Sequence, residues 1–208
     1  MEDVLEVYGR AYDPERPLLC LDEFCKQLFS ETRSPLPGKP GKPMKYDYEY
    51  VREGSASAFM LSAPLLGQRQ IYIGKDARRT AEDFAYALEF AATEMFPEAK
   101  KIVLVMDNLN THKMASFYST FEPSKAYELA QKFEIHYTPK HGSWLNIAEI
   151  EIAALGKTCF DRRIESIDTF KKEIQANLND RNKNPKPVSW RFSVENARNK
   201  LKSLYPSF

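Results

Sequence analysis

Cysteine is scarce in this sequence: three residues of 208, Cys20, Cys25 and Cys159. An odd number with no C-x-x-C pair argues against a disulfide framework, and His112, His136 and His141 form no zinc-type spacing with them. A reduced, cytosolic protein without structural zinc is the simplest reading. Long apolar runs are also missing. None reaches the ~18 residues needed to cross a bilayer, so no membrane partner is expected. The opening MEDVLEVYGR carries acids where a secretory signal would carry bases and an apolar run. Net charge is nearly absent, at +1. Composition therefore does not mark a general polyanion binder.

What the sequence has is 43% hydrophobic residues, enough for one globular domain with a real core. Its charge is uneven. Between Lys157 and Lys202 stand twelve basic residues, Arg162 and Arg163 among them, against six acidic ones. That excess suits either a solvated helical surface or a DNA-facing rim around an acidic site.

Residues 1–10 read as a short amphipathic helix, and residues 1–15 as a linker helix before a domain spanning 16–208. LLCLDEF reads as a buried strand whose carboxyl end delivers Asp22. TRSPLPGKPGKPMK is a Pro/Gly/Lys-rich loop whose bases, Arg33, Lys39, Lys42 and Lys45, can lie along DNA or in solvent. YDYEYV, SASAFMLSAPL and RQIYIG predict a meander, with Tyr46, Tyr48 and Tyr50 lining one face of a strand. Thr80 predicts the cap of a helix over TAEDFAYALEFAATEMF. KIVLVMDN predicts a fully buried central strand ending at Asp107. SKAYELAQKF is helical, EIHYTP is a strand, and GSWLNIAEIEIAALGKTCF is a helix with Ser143 as its expected N-cap. Two more helices close the chain. The order predicts a mixed sheet flanked by helices.

Asp22 and Asp107 both fall at strand ends, where open sheets hold ligands. Paired carboxylates there suit hard cations in phosphodiester chemistry, although Asp is common wherever strands meet loops. Taking Leu145 as the origin at ~100° per residue, Glu149 lies at one margin of its helix's apolar stripe and Glu151 beyond the other. A carboxylate facing a core needs a partner. For Glu149 that is a shared metal or a salt bridge. Glu151 is expected to face solvent or a basic neighbour.

Together CLDEF, PLPGKPGKPMKYDYEYVREGSASAFM, IVLVMDNLNTHK and HYTPKHGSWLNIAEIEIAAL resemble the bacterial insertion-sequence branch of the mariner superfamily of DDE transposases, as does WRFSVENARNKLKSLYPSF near the end. The likeness runs over nearly the whole chain in the right order. It implies a ribonuclease H-like α/β fold, an antiparallel meander plus parallel strands flanked by helices. It implies that Asp22, Asp107 and Glu149 are the catalytic, metal-binding acids. Leu145, Asn146 and Glu149 match the superfamily's L-N-x-x-E/D pattern, and 41 residues separate Asp107 from Glu149. Two magnesium ions per site, replaceable by manganese, are implied as cofactors. The partners implied are transposon-end and target DNA, a second copy of the chain on DNA, and helix-turn-helix modules that family members carry before this domain. Only about twenty residues precede Asp22, so such a module is expected on a separate polypeptide or outside a fragment. A bacterial, nucleoid-associated location follows.

Asn108, His112 and Asn146 are candidates to support the acids from behind; capping a turn is the plainer role for the first two. Lys140, His141 and Trp144, with Arg162 and Arg163, are candidate DNA contacts, against a core place for Trp144. Two rival readings stay open: another ribonuclease H-like nuclease, and a silent transposase remnant that regulates by binding.

Overall fold

A computed structural model describes residues 1–108, 113–140 and 142–205. Five strands form one sheet in the order β3-β2-β1-β4-β5. They are β1 (Leu18–Glu31), β2 (Tyr50–Ala63), β3 (Gln68–Tyr72), β4 (Ile102–Met106) and β5 (Phe133–Tyr137). β1, β2 and β3 form the antiparallel meander, while β1 pairs with β4, and β4 with β5, in parallel. The helices are α1 (Glu2–Tyr8), α2 (Ala81–Phe90), α3 (Ala115–Thr120), α4 (Pro123–Lys132), α5 (Ile147–Thr158), α6 (Ile167–Lys183) and α7 (Val194–Lys200). No described helix is long and apolar enough to cross a membrane.

Alternation along the central strands divides the core in two. Leu18, Cys20, Val103 and Val105 face one side, with α1, α5, α6 and α7 packed over them. Leu19, Leu21, Ile102, Leu104 and Met106 face the other, covered by α2, α3 and α4. All five residues of β4 are buried, as an all-apolar parallel strand requires. Thr80 caps α2 through a reciprocal capping box with Asp83.

Three expectations change. First, β1 does not stop near Asp22 but runs to Glu31, because β2 continues to pair with it out to Tyr50. Its parallel pairing with β4 does stop, at Cys20 opposite Val105. Asp22 therefore stands at the carboxyl edge of the parallel part, in mid-strand. Second, Tyr46 and Tyr48 lie outside any strand and are 58% and 84% exposed. Their alternation has no partner strand to pack against. Residues 32–49 form instead an arm pinned by the Leu36–Lys45 and Lys39–Lys42 bridges. Third, Ser143 opens only a 3-10 turn, and the N-cap of α5 is Asn146.

Helix α1 belongs to the core. Val4, Leu5, Val7 and Tyr8 are all buried. The Tyr8 hydroxyl donates to the Leu145 carbonyl at 2.6 Å and accepts from the Ile147 amide at 3.4 Å, joining α1 to the start of α5. At the turn between β2 and β3, Gly67 has φ +64°, and a Cβ there would lie 2.4 Å from the Lys186 backbone. Only glycine lets that C-terminal segment pass so close.

Tyr8→Phe removes a hydroxyl with two buried backbone partners. It is expected to lower unfolding free energy by about 1–2 kcal/mol, read from urea titration. An unchanged midpoint would mean that α1 is not fastened to α5 through this group.

Candidate active site

Strand parity decides which face the acids occupy. Asp22 shares its face with Leu18 and Cys20, and Asp107 shares its face with Val103 and Val105, the face on which α5 packs. Asp107 is the first residue beyond β4. Carboxylate oxygens of Asp22, Glu23 and Asp107 all lie within 4.8 Å of one another. Glu23 has the opposite parity, but the pairing of β1 with β4 ends at Cys20, and its longer side chain reaches the same space. Arg79, in the loop before α2, pairs with Glu23 at 3.2 Å.

Glu149 stands in the first turn of α5, outside that tight set but close enough for its charge to act on Asp22. Burial above all, with repulsion from Asp107, Glu23 and Glu149, raises the Asp22 carboxyl from 3.8 to about 7. A buried Asp22 carboxyl that resists ionising beside three other acids marks a donor set short of positive charge, and hard divalent cations suit all-oxygen ligands of this kind.

Asn146 holds the two halves of the site together. Its Nδ2 donates to the Leu21 carbonyl at 2.8 Å, and its Oδ1 accepts from the Ala148 amide at 3.1 Å. One buried side chain thus caps α5 and ties it to β1 beside Asp22. The supporting role expected for Asn146 takes this backbone-bracing form.

Glu151 is buried, 6% exposed. Its Oε2 lies 2.9 Å from Arg69 Nε and 2.8 Å from Arg181 Nη1, though neither N–H is aligned as a hydrogen bond. The basic neighbour was expected; the burial was not. Leu145 is in the 3-10 turn, so it sets no phase for α5. Counted from Ile147, the buried residues are Ile147, Ala148, Glu151 and Leu155, which puts Glu151 in the stripe, while Glu149, half-buried, lies ~100° beyond Ala148.

The other candidates divide. Asn108 is exposed beside Asp107, and Lys140 is exposed before the 3-10 turn. Trp144 is 45% exposed, with its ring edge on Phe192, so it is not a core residue. Arg162 pairs with Glu173. Arg163 is engaged at the base of the 32–49 arm, donating to Glu31 at 2.5 Å and to the Asp47 carbonyl at 2.8 Å, with its guanidinium over the Tyr50 ring. His112 and His141 lie outside the described residues. The sequence reading passed over Glu23 and Arg79. The adjacent acids of CLDEF were the only signal, and strand alternation spoke against it.

The family model for the DDE superfamily endonuclease matches residues 17–171, and the chain belongs to that family. Its members are metal-dependent nucleases. Among solved structures, the Mos1 mariner paired-end complex with Mn superposes at a TM-score of 0.54 and 14% identity, over 85% of this chain and 52% of that one. The Mos1 strand transfer complex gives 0.56 at 13% identity, over 85% and 50%. The Mos1 paired-end complex with the left transposon end gives 0.56 at 15%, over 86% and 53%. The chain spans about half the length of these structures, and the likeness establishes the ribonuclease H-like fold. No curated protein matches it.

The raised Asp22 carboxyl sets a pH dependence. The folded chain keeps a proton there that the unfolded chain loses above pH 3.8. Metal-free stability therefore falls as pH rises from about 4 to about 7 and levels off above. Asp22→Asn is expected to melt a few degrees higher than wild type at pH 8 without metal, the gap closing towards pH 4. Equal melting temperatures at pH 8 would show that Asp22 ionises there without strain.

Proposed function

We propose that this chain is the catalytic domain of a DDE transposase of the bacterial insertion-sequence branch, with Asp22, Asp107 and Glu149 as its metal-holding acids. The observation that carries the reading is the approach of Asp22 to Asp107 at the carboxyl edge of the parallel strands, 85 positions apart in sequence. Glu149 completes the set from α5, at the position that the family's L-N-x-x-E pattern marks. Magnesium or manganese, bound as a pair, supplies the positive charge that activates an attacking oxygen and stabilises a leaving one.

In this reading Asp22 and Asp107 would hold the cations from the sheet and Glu149 would complete the donor set from α5. Asp22 would hold a cation only as the carboxylate. Glu23, engaged by Arg79, contributes negative charge beside the ligands. The reaction is hydrolysis at a transposon end. Water adds to phosphorus, the bond to the 3′ oxygen breaks, and a 3′ hydroxyl and a 5′ phosphate result. The 3′ hydroxyl then attacks a target phosphodiester in line and releases another 3′ hydroxyl. Lys140 and Trp144, both exposed before α5, suit contacts to phosphate and to an unstacked base. A dimer on DNA, with end recognition by helix-turn-helix modules, completes the assembly proposed, in a bacterial cytoplasm.

Joining of a pre-cut 3′ end to plasmid DNA in manganese tests the reading. Asp22→Asn, Asp107→Asn and Glu149→Gln are each expected to reduce joining on the order of a hundredfold or more, with DNA affinity kept. Nicking without joining would favour a different ribonuclease H-like nuclease. Joining that survives all three substitutions would remove the acids from the chemistry.

A further inference from the structure

A second group of charges lies apart from the carboxylate cluster. Arg69 and Glu151 are 5% and 6% exposed, and Arg181 closes the group from α6. The three belong to different elements. Arg69 is on the edge strand β3, Glu151 is on α5, and Arg181 is near the end of α6. Arg69 is itself firmly held. Its Nη2 donates to the Gly67 carbonyl at 2.8 Å and its Nη1 to the Arg181 carbonyl at 3.2 Å. The Asn182 amide brackets its backbone, accepting from the Arg69 N–H at 3.2 Å and donating to the Arg69 carbonyl at 2.7 Å.

Isolated from the rest of the molecule, these charges have no evident use. Apolar side chains of similar volume would pack as well and avoid the cost of desolvation. A carboxylate between two cations differs in one respect: it cannot slide without losing one of them. That matters for α5. Asn146 and Tyr8 fasten its first turn, Ile147, Ala148 and Leu155 lay one face on the core, and Thr158 accepts from Asn177 of α6 at the other end. Apolar packing is non-directional, so the fine angle of roll is left to polar contacts. Glu149 and Glu151 are ~200° apart around that axis. A carboxylate about 6 Å from the axis moves about 1 Å for a 10° roll, and a metal site tolerates roughly half of that.

We infer that Arg69, Glu151 and Arg181 form a positioning device that fixes the roll of α5, and thereby the distance of Glu149 from Asp22 and Asp107. The inference rests on the reading of Glu149 as the third metal ligand. Glu151 touches neither metal nor DNA and acts through Glu149.

Binding of Mn2+ to the full chain without DNA, followed by loss of the free-ion resonance, separates this from a purely structural role. Glu149→Gln is expected to weaken Mn2+ binding about tenfold or more. Glu151→Gln is expected to weaken it about tenfold on protein that circular dichroism shows to be folded. Leu129→Ala, in the core across the sheet, destabilises the chain and leaves Mn2+ affinity unchanged. Should Glu151→Gln fail to fold, Arg181→Lys carries the test: it keeps the charge, loses the guanidinium geometry, and is expected to weaken Mn2+ binding about threefold. Wild-type Mn2+ affinity in the folded Glu151 variant, or in Arg181→Lys when that variant carries the test, overturns the inference. Wild-type affinity in Glu149→Gln instead removes Glu149 as a ligand, and the failure is then of the underlying reading.

Discussion

Crowding of carboxylates is the constraint on which the rest of this molecule depends. Asp22, Glu23 and Asp107 sit within 4.8 Å of one another, and Asp22 holds its proton to about pH 7 because burial and three neighbouring acids oppose its charge. Nothing local favours such a cluster. A free chain would separate the acids at once, so the sheet has to hold them by force of packing. The fully buried β4 and the parallel start of β1 do this, with core on both faces. Under the proposed function, a divalent cation would relieve the repulsion that the metal-free fold holds.

The contribution of α5 is of another kind. A strand places its side chains by pairing, whereas a helix lying on a sheet can shift and roll. The bonds that prevent this come from far along the chain. Tyr8 reaches the Leu145 carbonyl, Asn146 reaches the Leu21 carbonyl, and Glu151 sits between Arg69 and Arg181. Each joins α5 to a different element. Read together, they make the N-terminal helix, the edge strand and the long C-terminal helix part of the support for one acid.

The 32–49 arm shows the opposite design. It leaves the sheet between β1 and β2, carries exposed Leu36, Met44, Tyr46 and Tyr48, and is fastened at its base by Arg163. The aromatic rings that alternate in sequence do not alternate across a strand.

The sequence by itself determined the mixed sheet, the buried strand before Asp107, the capping of α2 by Thr80, and the identity of the acids worth following. Each depends on neighbours within a few residues: hydrophobic period, a cap and its third residue, an acid at the end of an apolar run. The family pattern around Leu145, Asn146 and Glu149 was legible for the same reason. Only the tertiary structure decided that β1 passes beyond Asp22, since its length is set by pairing with β2, 19 to 36 residues further on. Only the tertiary structure brought Glu23 into the cluster, because strand parity hides it until the end of β1–β4 pairing at Cys20 is known. The burial of Glu151 was hidden too. The stripe of α5 begins at Ile147, and the two guanidiniums that neutralise Glu151 come from positions 69 and 181. Burial of a charge is decided by what lies across the interface, and no local period carries that information.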